Sequence, residues 1–283
     1  MSVNSISAYL QKIKILKFGG SIPVIAKELF TSTLKEKRFY LALIYYAAFP
    51  LLLLSFTFTQ PVIQTGTGNA LFEAHTTVRD FIFIIYTSFF LGQIFIVLLN
   101  ADSISGEVEE DTLPLLRSKP VYDSEIVLGK FFGMLGIFAL LDIPVLVLIY
   151  FTNLIKFQAE FPMAYINTVD EIIGTIVFVI LLQSIIISLT LVFSTIFSRS
   201  LYSILSSLLG LFVISQIAGT LGDSNNYISF DWLVRATLPK MLYHLEPLDG
   251  STPALITIFM GLFAVITALL STSILILRNK ELT

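Results

Sequence analysis

Cysteine is absent from this 283-residue chain, and disulfides, thiolate metal sites and cysteine nucleophiles are excluded with it. Charge is scarce: 13% of the residues are Asp, Glu, Lys or Arg, against about 25% in ordinary soluble domains. The balance is a net −3, so the basic face that a nucleic-acid binder presents is missing. Histidine occurs only as His75 and His244. Glu73 beside His75 makes two metal ligands in a loop, and such a pair reads as surface residues. No G-x-x-x-x-G-K-[ST], H-E-x-x-H or G-x-S-x-G pattern occurs, and neither does an N-x-[ST] sequon. Catalytic residues, a metal site and a nucleotide pocket are therefore not expected in this chain. A secretory signal peptide is not expected either, because the first 38 residues carry seven basic side chains and no continuous apolar run ahead of Phe39.

What the chain does have is apolar surface. Hydrophobic residues make up 55% of it, with a mean hydropathy of +0.87. Such a chain needs lipid as its solvent, and an all-α integral membrane protein is the expected fold class. Six apolar segments, at 39–58, 81–100, 131–151, 172–197, 201–221 and 254–277, each approach the roughly 20 residues that cross a hydrocarbon core of about 30 Å. The fourth and fifth are separated by Ser198-Arg199-Ser200. This reads as a tight turn, since an arginine at the centre of one long span would cost about 3 kcal/mol.

Six spans leave both termini on one side, and the basic residues choose the side. Thirteen lie with the termini, including Lys35, Lys37, Arg38, Arg117, Lys119, Lys130, Arg199 and Arg278. Four lie opposite: Arg79, Lys156, Arg235 and Lys240. The richer side is expected in the cytoplasm, which gives a multi-pass cell-membrane protein with both ends inside. No internal repeat supports an inverted-repeat carrier.

The flanking parts divide the chain into a region 1–38 and a membrane domain 39–283. In the first, Ile22, Ile25, Ala26, Leu29, Phe30, Thr33 and Leu34 recur at one-face helical spacing, with Lys27, Glu28 and Lys35 on the other faces. The pattern predicts an amphipathic helix lying in the membrane interface; packing against other protein is the alternative. Residues 60–80 read as a polar outer loop. Between the fifth and sixth spans, a loop holding the sole tryptophan, Trp232, reads as two short amphipathic outer helices dipping into the leaflet, divided by Pro239.

Within the spans, Gly129, Gly133 and Gly136 stand at the spacing that lets helices approach closely. Asp142 is the one carboxylate in a span. It lies twelve residues, about 18 Å, beyond Lys130. A carboxylate at that depth either faces a water-filled pathway or is a hydrogen-bonded acid beside Pro144. Gln93, Asn100, Gln183 and Gln216 are the other polar candidates, as helix–helix ties or pathway lining.

The residues 100–130, NADSISGEVEEDTLPLLRSKPVYDSEIVLGK, form the one long polar segment between apolar ones. Seven acids (Asp102, Glu107, Glu109, Glu110, Asp111, Asp123 and Glu125) surround the apolar knot of Leu113, Leu115 and Leu116. Against Arg117 and Lys119 the acids of 102–125 net about −5, a charge suited to a basic rim on a partner.

This segment resembles the signature region of the ABC-2 family, the membrane subunits of ATP-binding-cassette exporters. The likeness rests on Ser105-Gly106-Glu107, on Thr112, Leu113, Leu115 and Leu116, on Pro120-Val121, and on Glu125-Ile126 followed by Leu128-Gly129-Lys130. Lys27-Glu28, Pro50 and the six-span layout extend it along the chain. Asp111 stands where the family usually has glycine, and Pro114 where it usually has an acid. Both changes suit a helix start, with aspartate as N-cap and proline in the first turn.

The resemblance implies a coupling helix between the second and third spans, seated on a separate ATPase subunit that binds ATP and magnesium. It implies Glu107, Glu109, Asp111, Thr112, Leu113, Leu115, Leu116, Arg117 and Pro120 as docking residues, and a second permease subunit as partner. Members of the family are similar in architecture while moving drugs, lipids, glycans, peptides or ions. The alternative from the residues alone is an ion channel or ion-coupled carrier that uses Asp142.

Overall fold

The structure is a computed structural model, and it describes residues 20–59, 92–114, 118, 121–160, 169–221 and 255–280. Seven helices are defined among them: α1 (Ile22–Thr33), α2 (Lys37–Thr59), α3 (Ser105–Glu109), α4 (Asp123–Glu160), α5 (Val169–Ile196), α6 (Ser200–Leu221) and α7 (Leu255–Asn279). Residues 92–100 are also helical and run into α3 through a turn. No strand occurs among the described residues. The described part is all-helical, as the composition requires.

The helix ends fall close to the apolar segments of the sequence. α2, α5, α6 and α7 match the first, fourth, fifth and sixth segments within a few residues. Residues 197–199 form the tight turn expected around Arg199. The third segment is longer than hydropathy alone suggests. α4 has 38 residues, about 57 Å of helix, against about 30 Å of hydrocarbon. Its first turn is polar and carries Asp123 and Glu125, and the helix is continuous through Pro144. Pro144 and Leu140, whose carbonyl loses its bond to the proline, both face outward. α4, α5 and α7 each contain a stretch long and apolar enough to cross a membrane. The outer loop 60–80, the first part of the second apolar segment, and the amphipathic pieces around Trp232 lie outside the described residues.

One apolar core joins these helices. Phe39, Ala42 and Tyr46 of α2 meet Ile96 and Leu99, then Ile126, Phe131, Met134, Ile137 and Phe138 of α4, then Phe178, Leu182, Ile187 and Leu191 of α5. Stacked rings of Tyr45 and Phe95, 4.8 Å apart, fasten α2 to the 92–100 helix. Edge-to-face packing of Phe178 and Phe259 at 6.5 Å fastens α5 to α7. Serines and threonines inside the helices satisfy themselves on their own preceding turn. Ser184, Ser188, Thr190 and Thr195 donate to the carbonyls of Ile180, Ile185, Ile187 and Val192. Such back-bonding lets a hydroxyl sit in an apolar helix without an orphaned donor.

The amphipathic N-terminal helix forms as predicted, but its apolar stripe is taken by protein. α1 lies across α4 where Gly129, Gly133 and Gly136 leave no side chains. A Cβ on Gly129 would stand 2.7 Å from Cβ of Ile25, and one on Gly133 only 2.9 Å from the carbonyl oxygen of Ala26. Gly136 faces the ring of Phe30 at 3.6 Å. The close-packing row therefore receives α1. Ile25, Leu29, Phe30 and Leu34 are spent on the core, whereas the interfacial reading had them facing lipid.

Candidate functional site

The segment 100–125 is built into the end of the helix bundle by polar ties to several helices. Asn100 is fully buried, and its amide donates to the carbonyl of Ile187 and to the hydroxyl of Thr190, both on α5. Ser194, two turns along α5 from Ile187, accepts from the backbone N–H groups of Ile104 and Ser105 at 3.0 Å each. These are among the orphan donors at the start of α3, so one buried serine caps a helix from another helix. Ser203 of α6 donates to the carbonyl of Ala101, which also accepts from Ser105.

Three acidic residues then anchor the segment outward. Asp102 pairs with Arg38 of α2 at 2.5 Å, and the same guanidinium reaches the carbonyl of Leu98 at 3.2 Å. Glu107 pairs with Lys130 of α4 at 2.7 Å, with 3% of the lysine side chain exposed. The same ammonium donates to the carbonyl of Ser103. Glu109 accepts from the N–H of Ser200 at 2.9 Å and from its hydroxyl at 2.5 Å, at the N-terminus of α6. Those two bonds hold the Glu109 carboxyl below its usual 4.5. Glu36, exposed in the turn before α2, is shifted the other way. Partial burial raises it, the Asp102 carboxylate adds to the rise, and Arg38 opposes it.

The geometry of residues 107–114 gives Asp111 a different role from the N-cap expected of it. α3 ends at Glu109. The N–H of Thr112 then bonds to the carbonyl of Glu107, and that of Asp111 to Val108. This is the Schellman pattern, which needs a left-handed residue after the cap. Asp111 is that residue, with φ of 54°, the one non-glycine at positive φ among the described residues. A glycine would take this conformation freely, so the departure from the family's usual glycine falls where backbone conformation matters. The chain re-enters helix at Leu113 and Pro114, with proline in a first turn, as expected. The hydroxyl of Thr112 donates back to Glu107.

The acids and leucines also divide differently from the sequence expectation. Leu113 is 0% exposed and belongs to the chain's own core, so it fastens the segment inward. Leu115, Leu116, Arg117 and Pro120 lie outside the described residues. Of the seven acids, Asp102, Glu107 and Glu109 are bonded within the chain. Glu125 is buried and accepts from the N–H of Tyr122 at 3.2 Å, the reciprocal half of a capping box at the start of α4. Glu110 and Asp111 remain exposed, with no side-chain partner among the described residues. Glu110 and Asp111 are thus the exposed acids of the bend between α3 and the helix that starts at Leu113, unpaired among the described residues.

Among the membrane-depth candidates, the structure joins two. The Gln183 amide donates to the Asp142 carboxylate, from α5 to α4, and both residues are buried. Gln93 is half-buried on the 92–100 helix. The side chain of Gln216 lies outside the described ones. No group of three or more metal-ligating side chains occurs among the described residues.

Sequence reasoning gave no role in the site to Ser194, Ser200, Ser203 or Lys280. The Lys280 ammonium caps the end of α5 through the carbonyls of Thr195 and Phe197, at 3.0 and 3.1 Å. A serine or lysine at a segment boundary is too common to signal, and each partner lies some 83 to 102 residues away.

Long apolar helices gathered on one core, with a polar segment braced at one end by side chains from four of them, define a helical membrane protein. The chain matches the ABC-2 family transporter protein model over residues 22–277, and it belongs to that family. No curated individual protein matches it. Members of the family are membrane transport components that work with ATP-binding-cassette ATPase subunits.

Proposed function

We propose that this chain is the membrane-spanning subunit of an ATP-binding-cassette exporter. In this reading it crosses the cell membrane six times, has both termini in the cytoplasm and pairs with a second permease subunit. The segment 102–125 seats on a separate ATPase, which binds ATP and magnesium and performs the hydrolysis.

The observation that carries the reading is the bracing of that segment. Asp102, Glu107 and Glu109 tie it to α2, α4 and α6, while Glu110, Asp111 and Pro114 stay exposed just beyond the ties. A partner that grips the exposed bend moves three helices at once. The charge of Glu110 and Asp111 suits a basic groove, and the apolar side chains of Leu115 and Leu116 would enter it.

The test is a reconstituted complex with its ATPase. Leu116→Glu should abolish transport while ATP hydrolysis continues, and Glu110→Lys with Asp111→Lys should weaken ATPase binding at least tenfold. Full coupling in the first variant together with undiminished binding in the second would refute the proposal.

The Asp142 reading, an ion channel or ion-coupled carrier, is less supported. The buried hydrogen bond from Gln183 makes the pair a tie between α4 and α5, of the kind that amides form between membrane helices. Asp142→Asn should leave transport in place if this is its role.

A further inference from the structure

The outward face of α2 combines cation and apolar surface in a way that the reading above leaves unused. Lys37, Tyr40, Leu41 and Ile44 stand at i, i+3, i+4 and i+7, a single helix face. All four are exposed, Tyr40 by 53%, Leu41 by 61% and Ile44 by 62%. The stripe continues upward through Ala47, Ala48 and Leu51, also exposed. On the opposite face, Phe39, Ala42 and Tyr46 are buried in the core. Lys35 lies two residues before Lys37 and is exposed as well. Neither lysine takes an ion pair among the described residues. The neighbouring charges are turned elsewhere: Arg38 is engaged by Asp102 and the carbonyl of Leu98, and Glu36 feels that same pair.

We propose that this face is a binding site for an anionic phospholipid, whose headgroup is held by Lys37 and Lys35 and whose acyl chain lies along Tyr40, Leu41 and Ile44. The site rests on the placement of α2 as a membrane span, and goes beyond it by giving one face a lipid preference. The chemistry fits on both counts. A lysine near the surface attracts acidic headgroups and its ammonium reaches the phosphate level, and the stripe above it is wholly apolar apart from the tyrosine hydroxyl. A second copy of the chain fits the face less well. A two-fold axis running through this face along the membrane normal would set Lys37 against its own counterpart at the same depth, a like-charge contact.

The test uses the full chain in phosphatidylcholine bilayer discs that contain a minority of phosphatidylglycerol, with the lipids retained on the protein counted by native mass spectrometry. The chain should retain phosphatidylglycerol selectively. The selectivity should fall about fivefold for Lys37→Gln and roughly tenfold to thirtyfold for Lys35→Gln with Lys37→Gln. Lys35→Arg with Lys37→Arg should keep it. Because the chain has no cysteine, Ile44→Cys can carry a single spin label that reports what covers the face. A label reached by a lipid-chain quencher, with selectivity lost in the glutamine variants, supports the site. The same label with selectivity unchanged overturns it and leaves the span intact. A label in water overturns the span itself, and spin–spin broadening between labelled copies overturns the site in favour of a subunit interface.

Discussion

The ammonium of Lys130 stands 2.7 Å from the carboxylate of Glu107 in a setting that hides nearly all of the lysine but leaves 28% of the glutamate side chain exposed. This pair joins the braced segment to the longest helix, and its asymmetry sets what each substitution costs. Glu107→Gln leaves a buried cation with neutral partners and should destabilise the protein by about 3 kcal/mol. Lys130→Met leaves the charge on the less buried side chain of the pair, although one oxygen of Glu107 is itself buried, and should cost less. The double variant should be more stable than Glu107→Gln alone. Thermal unfolding of the purified variants in one detergent gives the order, and equal losses for the two single changes would contradict the geometry.

Asp111 holds the left-handed turn between α3 and the helix that starts at Leu113. Asp111→Gly removes the conformational strain and should raise stability by up to about 1 kcal/mol. Asp111→Val, branched at Cβ, should lower it by more than glycine raises it. If the two variants unfold alike, the positive φ is not what this position requires.

The contact of α1 with α4 is predicted to be graded along the glycine row. Gly133→Ala would press a methyl group to 2.9 Å from the backbone oxygen of Ala26, which cannot swing away as a side chain can. The cost should be about 1–3 kcal/mol. Gly136→Ala finds the Phe30 ring at 3.6 Å, ordinary van der Waals contact, and should stay within about 0.5 kcal/mol of the parent. Limited proteolysis after Lys27 and Lys35 reports α1 directly, with faster cleavage expected for Gly133→Ala only.

The Glu109–Ser200 contact makes a pH-dependent contribution. Ser200 holds the folded carboxyl below its usual 4.5. A depressed acid stabilises the fold above its unfolded value, and the contribution is lost as pH falls through the folded value. Ser200→Ala should therefore be less stable than the parent at neutral pH, and the gap should close as pH falls from 4.5 through the lower folded value. A gap that persists undiminished into acid would mean that the serine acts by packing alone.

Much of the helix layout was legible in the sequence. Apolar length marked α2, α5, α6 and α7 to within a few residues, and the charge of Arg199 marked the turn between α5 and α6. The glycine row announced a close approach on α4, because an absent side chain is visible as such. Its occupant was not announced, since the stripe of α1 suits lipid and protein equally. The site was half legible. Glu107, Asp111 and Leu113 were singled out by type and order, but their directions were not. Leu113 faces inward, Asp111 sits in a left-handed turn, and Glu107 is consumed by Lys130.

By itself, the sequence determined that this chain needs lipid as its solvent, is helical, carries no G-x-x-x-x-G-K-[ST], H-E-x-x-H or G-x-S-x-G pattern, and concentrates its acids in one segment. Those properties follow from composition and local spacing, which a linear chain carries in full. The tertiary structure alone decided which acids are bonded within the chain and which are left without a partner among the described residues. That choice depends on Arg38, Lys130 and Ser200 arriving beside Asp102, Glu107 and Glu109 from distant parts of the chain. A carboxylate near a cation or a helix N-terminus is neutralised by proximity, and proximity between residues far apart in sequence exists only once the helices have packed.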